Sequence, residues 1–230
     1  MHRLLLFFNA HMDIVFLVYG AAFLILGIAI LVQPKRTSTF KFAPQLWLLA
    51  GFGLFHGANE WLDLLKLLHG PTTFLKVTSL CFLITSYGLL FEFGRRLVKM
   101  STRGNTAIVT TLSPGIYLPI VGVLLVTGLT SEYPWINLDI LFRYFFGFSS
   151  ALLTGYGLFL YYQYEKQRIG TLKLRTNFVW AAAIFVTYGV LSGLVVQKAD
   201  YFPANWLNYD SFMEYVHLPV QIARAITAET

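Results

Sequence analysis

The sequence predicts an all-α integral membrane bundle, and three observations carry that expectation. Charged residues make up 12% of the 230-residue chain, about half of the ~25% typical of soluble domains. Apolar runs of about twenty residues recur along it, the length that crosses a bilayer. Basic residues gather in the short connections between those runs, as topology signals do. A net charge of +6 could suit nucleic acid, but charges confined to connections between apolar spans exclude that partner and leave the lipid bilayer.

Each span has its own start or stop. Residues 1–10 hold Arg3 and a short apolar run and read as an interfacial lead-in. The first span is expected over 13–32, ended by Gln33-Pro34-Lys35-Arg36, and the second over 44–68, ended by Gly70-Pro71. The third covers 74–93 and stops before Arg95-Arg96. The fourth covers 107–129, its start kinked or delayed by Pro114 and Pro119. The fifth covers 138–162 and the sixth 177–196. A polar, aromatic stretch over 197–210 precedes a seventh, which begins near Phe212 or Val216 and is still running at Thr230. With no stop signal there, the expectation is one membrane-embedded domain over 1–230, truncated before a cytoplasmic module.

Orientation follows from the basic residues. Lys35, Arg36 and Lys41, then Arg95, Arg96, Lys99 and Arg103, then Lys166, Arg168, Lys173 and Arg175 all fall on one side. The other side holds mainly Lys66, Lys76 and Lys198 beside Glu132, Asp139, Asp200 and Asp210. That bias places the N-terminus outside and the C-terminus in the cytoplasm. Trp61, Tyr133, Trp135, Tyr201, Trp206 and Tyr209 then form an outer aromatic belt.

One stretch breaks the apolar pattern. His56, Asn59, Glu60 and Asp63 stand at i, i+3, i+4 and i+7, on one face of the second helix. Counting about 1.5 Å per residue from Pro44 puts His56 ~18 Å up and Asp63 near the outer edge. Ionisable groups in a span turn inward, toward a bundle interior or a water-filled cavity. His11 and Asp13 on the first helix, Arg143 on the fifth, and Glu214 and His217 on the seventh reach similar depth. The cluster suits a ligand pocket, a metal site or a proton-sensitive network, and equally a structural ion pair of Glu60 with Arg143 or a histidine. Arg143 also stands i+4 from Asp139, and Glu92 precedes Arg95 and Arg96 as a local salt bridge.

Other chemistries leave weaker marks. Axial imidazoles for a b-type haem would have to be His56 and His217. A zinc or copper site would draw on His11, Asp13, His56, Glu60 and His217, although no His-x3-His spacing supports it. Cys81, the single cysteine, excludes an internal disulfide and multi-cysteine metal sites, and reads as a small buried hydrophobe. A retinal Schiff base is excluded because residues 212–230 contain no lysine. A transporter would show paired broken helices, and Pro114-Gly115 with Pro119 has no counterpart. No phosphate loop, G-x-S-x-G elbow or H-E-x-x-H pair occurs, and nothing reads as an enzyme.

Three segments also carry a resemblance: DIVFLVYG from Asp13 to Gly20, GLFHGANEW from Gly53 to Trp61, and LPVQIAR from Leu218 to Arg224. They resemble the seven-helix membrane region found at the N-terminus of bacterial signalling proteins, ahead of PAS, histidine kinase or diguanylate cyclase modules. The resemblance covers the whole chain. It implies a sensory input domain in the bacterial inner membrane and a homodimer formed through the parent protein; the expectation of a small-molecule or ion ligand comes from the polar face and not from the resemblance. By matching position it selects His56, Glu60 and Trp61, with Asp13 and Arg224 behind them.

Overall fold

A computed structural model describes residues 7, 8, 10–34, 40–102, 113, 115, 117–171 and 173–229. The lead-in at 1–6, Lys35, Arg36, Arg103, Pro114 and most of 107–116 lie outside the described residues. What is described is helical: α1 (Met12–Val32), α2 (Leu46–His69, entered by a 3-10 turn over Ala43–Gln45), α3 (Thr73–Ser101) and α4 (Tyr117–Leu129). There follow α5 (Pro134–Tyr164) and α7 (Arg175–Leu194), each including a π-helical segment, with the short α6 (Lys166–Thr171) between them. Finally come α8 (Tyr209–Val216) and α9 (Val220–Glu229).

Four of these helices, α1, α3, α5 and α7, are long and apolar enough to cross a membrane. α2 matches them in length at 24 residues but carries Glu60, Asp63 and Lys66. Helix ends follow local chemistry. The Thr72 side chain accepts the Leu75 amide at 3.3 Å and caps α3, and Asn208 with Ser211 forms a capping box at α8.

Several boundaries differ from the sequence expectation, α5 for one beginning at Pro134 and not at Leu138. α3 runs on through Arg95 and Arg96 to Ser101, because Glu92 accepts from both guanidinium groups at 2.6 Å across a helical turn. The last helix is broken: α8 ends at His217, whose φ of +61° is left-handed, and Pro219 precedes α9. α4 begins at Tyr117, so Pro119 occupies its first turn, where its missing N–H costs nothing.

The helices pack in a closed cycle, α1 on α2, α2 on α3, α3 on α5, α5 on α7, α7 on α9 and α9 back on α1, with α4 outside it against α5. α1 and α2 approach most closely. A Cβ added at Gly57 would lie 2.6 Å from the Gly20 carbonyl oxygen, and one at Gly53 would lie 2.8 Å from that of Phe23. The Gly53-x3-Gly57 pair thus lets the two backbones touch, a membrane-helix device.

The outer wall of the cycle is apolar. On α1, Ile14, Leu17, Val18, Ile25, Ile28 and Leu31 face outward while Tyr19, Ala22 and Phe23 face in. Cys81 also faces outward on α3, which corrects the expectation of burial. Its apolar run is a lipid-type surface rather than core. At one end, hereafter the basic end, Lys41 pairs with Glu165 at 3.1 Å and Arg96 donates to Gln45. The Glu165 carboxylate, through that bond and its charge, holds the exposed Lys41 above the ordinary lysine range. The other end holds Trp61, Asp63 and the 195–208 loop.

Candidate functional site

The expected polar face of α2 turns into the centre of the cycle. His56, Asn59 and Glu60 are 0%, 1% and 1% exposed. Each neighbouring helix adds a polar group: Tyr19 from α1, Ser79, Ser86 and Tyr87 from α3, Arg143 from α5, Tyr188 and Ser192 from α7, and Arg224 from α9. The bundle is apolar outside and polar at its centre, the arrangement a lipid solvent favours.

His56 is the hub. Its Nε2 lies 3.0 Å from both the Tyr19 and the Tyr188 hydroxyl oxygens, and its Nδ1 lies 3.4 Å from Ser86 Oγ. Ser86 spends its hydroxyl proton on the Leu83 carbonyl at 2.8 Å. Ser86 can therefore only accept, so the network assigns the histidine proton to Nδ1 and leaves Nε2 to accept from a tyrosine. Glu60 Oε1 stands 3.5 Å from the same Nε2 and receives the Asn59 amide at 3.4 Å. The Phe23 and Phe52 rings, at centroid distances of 4.7 and 5.4 Å, complete the enclosure of the imidazole.

Two buried cations flank this pair. Arg143, 2% exposed, donates to Asp139 at 2.8 Å and to Tyr87 Oη at 3.3 Å, and Tyr87 Oη lies 2.9 Å from Ser192 Oγ. Arg143 and Ser192 both belong to π-helical segments, Arg143–Phe148 and Val190–Leu194, which pack against each other. Contact is so close that a Cβ on Gly193 would sit 2.6 Å from Phe148 backbone atoms. Such wide turns recur at functional sites, and here they aim both residues at Tyr87. Arg224, 1% exposed, donates to the Leu191 carbonyl at 3.0 and 2.8 Å and to that of Val195 at 2.6 Å. It occupies the end of α7, where carbonyls have no amide ahead of them, and its guanidinium carbon lies 5.5 Å from the centre of the Tyr209 ring.

The expected site residues divide. His56, Asn59, Glu60, Arg143 and Arg224 come together. Asp63 marks the edge of the cluster, ion-paired to Lys66 with its side chain 21% exposed. Trp61 lies outside: it is 39% exposed and donates to the Leu17 carbonyl at 3.2 Å, sealing α2 to α1. Asp13, His11 and Glu214 are exposed. His217 ends α8, with its Nδ1 buried and without a hydrogen-bond partner. Among the described residues no three His, Cys, Asp or Glu side chains gather for a metal, so His11, Asp13, His56, Glu60 and His217 do not form the ligand set considered above. Both ring nitrogens of His56 are engaged within the cluster, which leaves no free axial imidazole opposite His217. Tyr19, Tyr87, Tyr188 and Ser192 are additions that the sequence reading missed.

A mostly apolar cavity of about 730 Å³ lies between α1, α2, α7 and α9. It runs along α7 from Thr176 to Tyr188 and touches α9 at Thr227 and Ala228. Phe52, one turn before His56, lines it, whereas Glu60 and Asp63 extend the other way. This cavity therefore lies on the basic-end side of His56. No family model matches the chain, and no curated protein or solved structure is significantly similar to it.

Proposed function

We propose that this chain is a membrane sensory input domain, and that its stimulus, a small ligand or ion, acts on the His56–Glu60 cluster. In this reading the chain crosses a bacterial inner membrane seven times, with its N-terminus outside and its C-terminus in the cytoplasm. It serves a homodimeric parent whose output is of histidine kinase or diguanylate cyclase type. One observation supports the reading above the rest: the buried cluster draws one or more polar groups from every helix of the cycle, and Arg224 ties α9 to α7 within it. A change of charge at its centre is felt by Arg143 and Arg224 in a medium that screens weakly. Two packings of the cycle then differ in the seat of α9, and a stimulus that prefers one of them shifts the balance.

The test uses the full-length parent in its native membrane. With expression and thermal stability checked, Glu60→Gln and His56→Ala shift basal autophosphorylation or cyclic dinucleotide output several-fold, toward one locked state. Output equal to wild type in both variants contradicts the reading.

A further inference from the structure

We infer that the ion bound by the cluster is the proton, held between His56 Nε2 and Glu60 Oε1 and delivered from the Asp63 surface along a hydrogen-bonded file gated by Asn59. This deepens the sensory reading by naming its stimulus.

The geometry gives the pair a place to share one added proton. Ser86 fixes the imidazole proton on Nδ1, so Nε2 presents a lone pair, and a carboxyl oxygen faces it at 3.5 Å. At rest a tyrosine hydroxyl, Tyr19 or Tyr188, each 3.0 Å away, satisfies that lone pair; a proton taken up by the pair turns the 3.5 Å approach of Glu60 into an attractive contact. The groups facing the pair are Tyr19 from α1, Asp63 on α2 itself, Tyr87 from α3, Arg143 and Asp139 from α5, Tyr188 from α7 and Arg224 from α9. Arg143 and Arg224 make protonation a change from a nearly balanced cluster to a net positive one.

The file supplies the route. Asp63 Oδ1, on a side chain 21% exposed and ion-paired to Lys66, lies 3.0 Å from Ser79 Oγ; that oxygen also accepts from Lys66 Nζ at 3.0 Å and lies 2.9 Å from Asn59 Oδ1. The Asn59 amide nitrogen then donates to Glu60 Oε1 at 3.4 Å. A proton from bulk water adds to the Asp63 carboxylate. It passes to the Ser79 hydroxyl oxygen as that hydroxyl releases its own proton inward, and it arrives on the Glu60 carboxylate, where it is shared with His56. The sum is one proton taken from solution, with only O–H bonds made and broken. Asn59 is the step that does not relay, because an amide has no proton to exchange at neutral pH. Its side chain has to swing aside so that Ser79 can reach Glu60, and that motion sets the rate.

The experiment is a pH jump on the purified chain in lipid nanodiscs, followed by infrared difference spectroscopy of the carboxylic C=O stretch. Wild type gains one buried-carboxyl band on acidification, Glu60→Gln loses it, and Asp139→Asn keeps it. Asn59→Asp, whose carboxyl can both accept and donate, speeds the band's appearance about tenfold, and Asn59→Leu slows it about tenfold, each a barrier change of ~1.4 kcal/mol. The Asn59 variants retain Glu60, so they report even where Glu60→Gln fails to fold. A band that survives in folded Glu60→Gln overturns the inference, as do rates unchanged in both Asn59 variants. A missing band, with basal output of the parent still altered by Glu60→Gln, overturns the proton assignment and leaves the sensory reading standing.

Discussion

Replacing Arg224 by methionine isolates what joins α9 to the cluster. Methionine keeps the length and bulk of the side chain and removes three hydrogen bonds to the Leu191 and Val195 carbonyls. Those carbonyls end α7, so no following amide takes the place of the guanidinium. At about 1 kcal/mol for each bond between helices in a membrane, the loss is ~3 kcal/mol, in line with the ~3 kcal/mol cost of breaking buried charged contacts. Arg224→Lys keeps the charge but replaces a planar fork by a single ammonium, and loses ~1–2 kcal/mol. Unfolding in mixed micelles of rising SDS fraction reads both values, and limited proteolysis reads whether α9 has come away. A loss below ~1 kcal/mol for Arg224→Met, with α9 as protected as in wild type, refutes the view that this residue seats the helix.

Other substitutions probe other contacts. Gly57→Leu drives a side chain into the Gly20 carbonyl and Leu24, spreads α1 from α2 and destabilises by at least ~2 kcal/mol; Gly88→Ala, in open space, is neutral or better in the same unfolding assay. Tyr19→Phe and Tyr188→Phe each cost ~1 kcal/mol, but the double variant costs more than their sum, because His56 Nε2 then loses both hydroxyl partners. Glu92→Gln leaves Arg95 and Arg96 without their shared carboxylate, yet costs at most ~1 kcal/mol because the pairs are partly solvated; a double-mutant cycle with Arg96→Gln measures the coupling.

Much of this site was legible in periodicity, and the remainder shows where periodicity stops. The i, i+3, i+4, i+7 spacing of His56, Asn59, Glu60 and Asp63 marked the inward face of α2, because carboxylates and imidazoles have no stable place against lipid. Trp61 was adjacent in sequence but lies about 100° around the helix from Glu60, and it belongs to the α1–α2 seam. Tyrosines were the blind spot: Tyr19, Tyr87 and Tyr188 read as apolar body in apolar runs, while their hydroxyls supply most of the contacts to His56 and Arg143. The π segments that aim Arg143 and Ser192 arise from packing and leave no mark in composition. Arg95-Arg96 reads as a stop signal, and the local salt bridge to Glu92, legible in the spacing, is what lets α3 run on past it. Pro219, just ahead of α9, breaks the last helix, which the sequence expectation ran on from Phe212 or Val216 to Thr230.

The most direct measurement is the seat of α9 itself. Spin labels at Val32 and Ile226, both outward-facing, in a Cys81→Ser background give the distance between the ends of α1 and α9 by pulsed electron resonance in nanodiscs. If the buried cluster sets the position of α9, Glu60→Gln moves the distance distribution away from that of the wild-type cluster. Superimposable distributions, with both proteins folded, contradict that coupling.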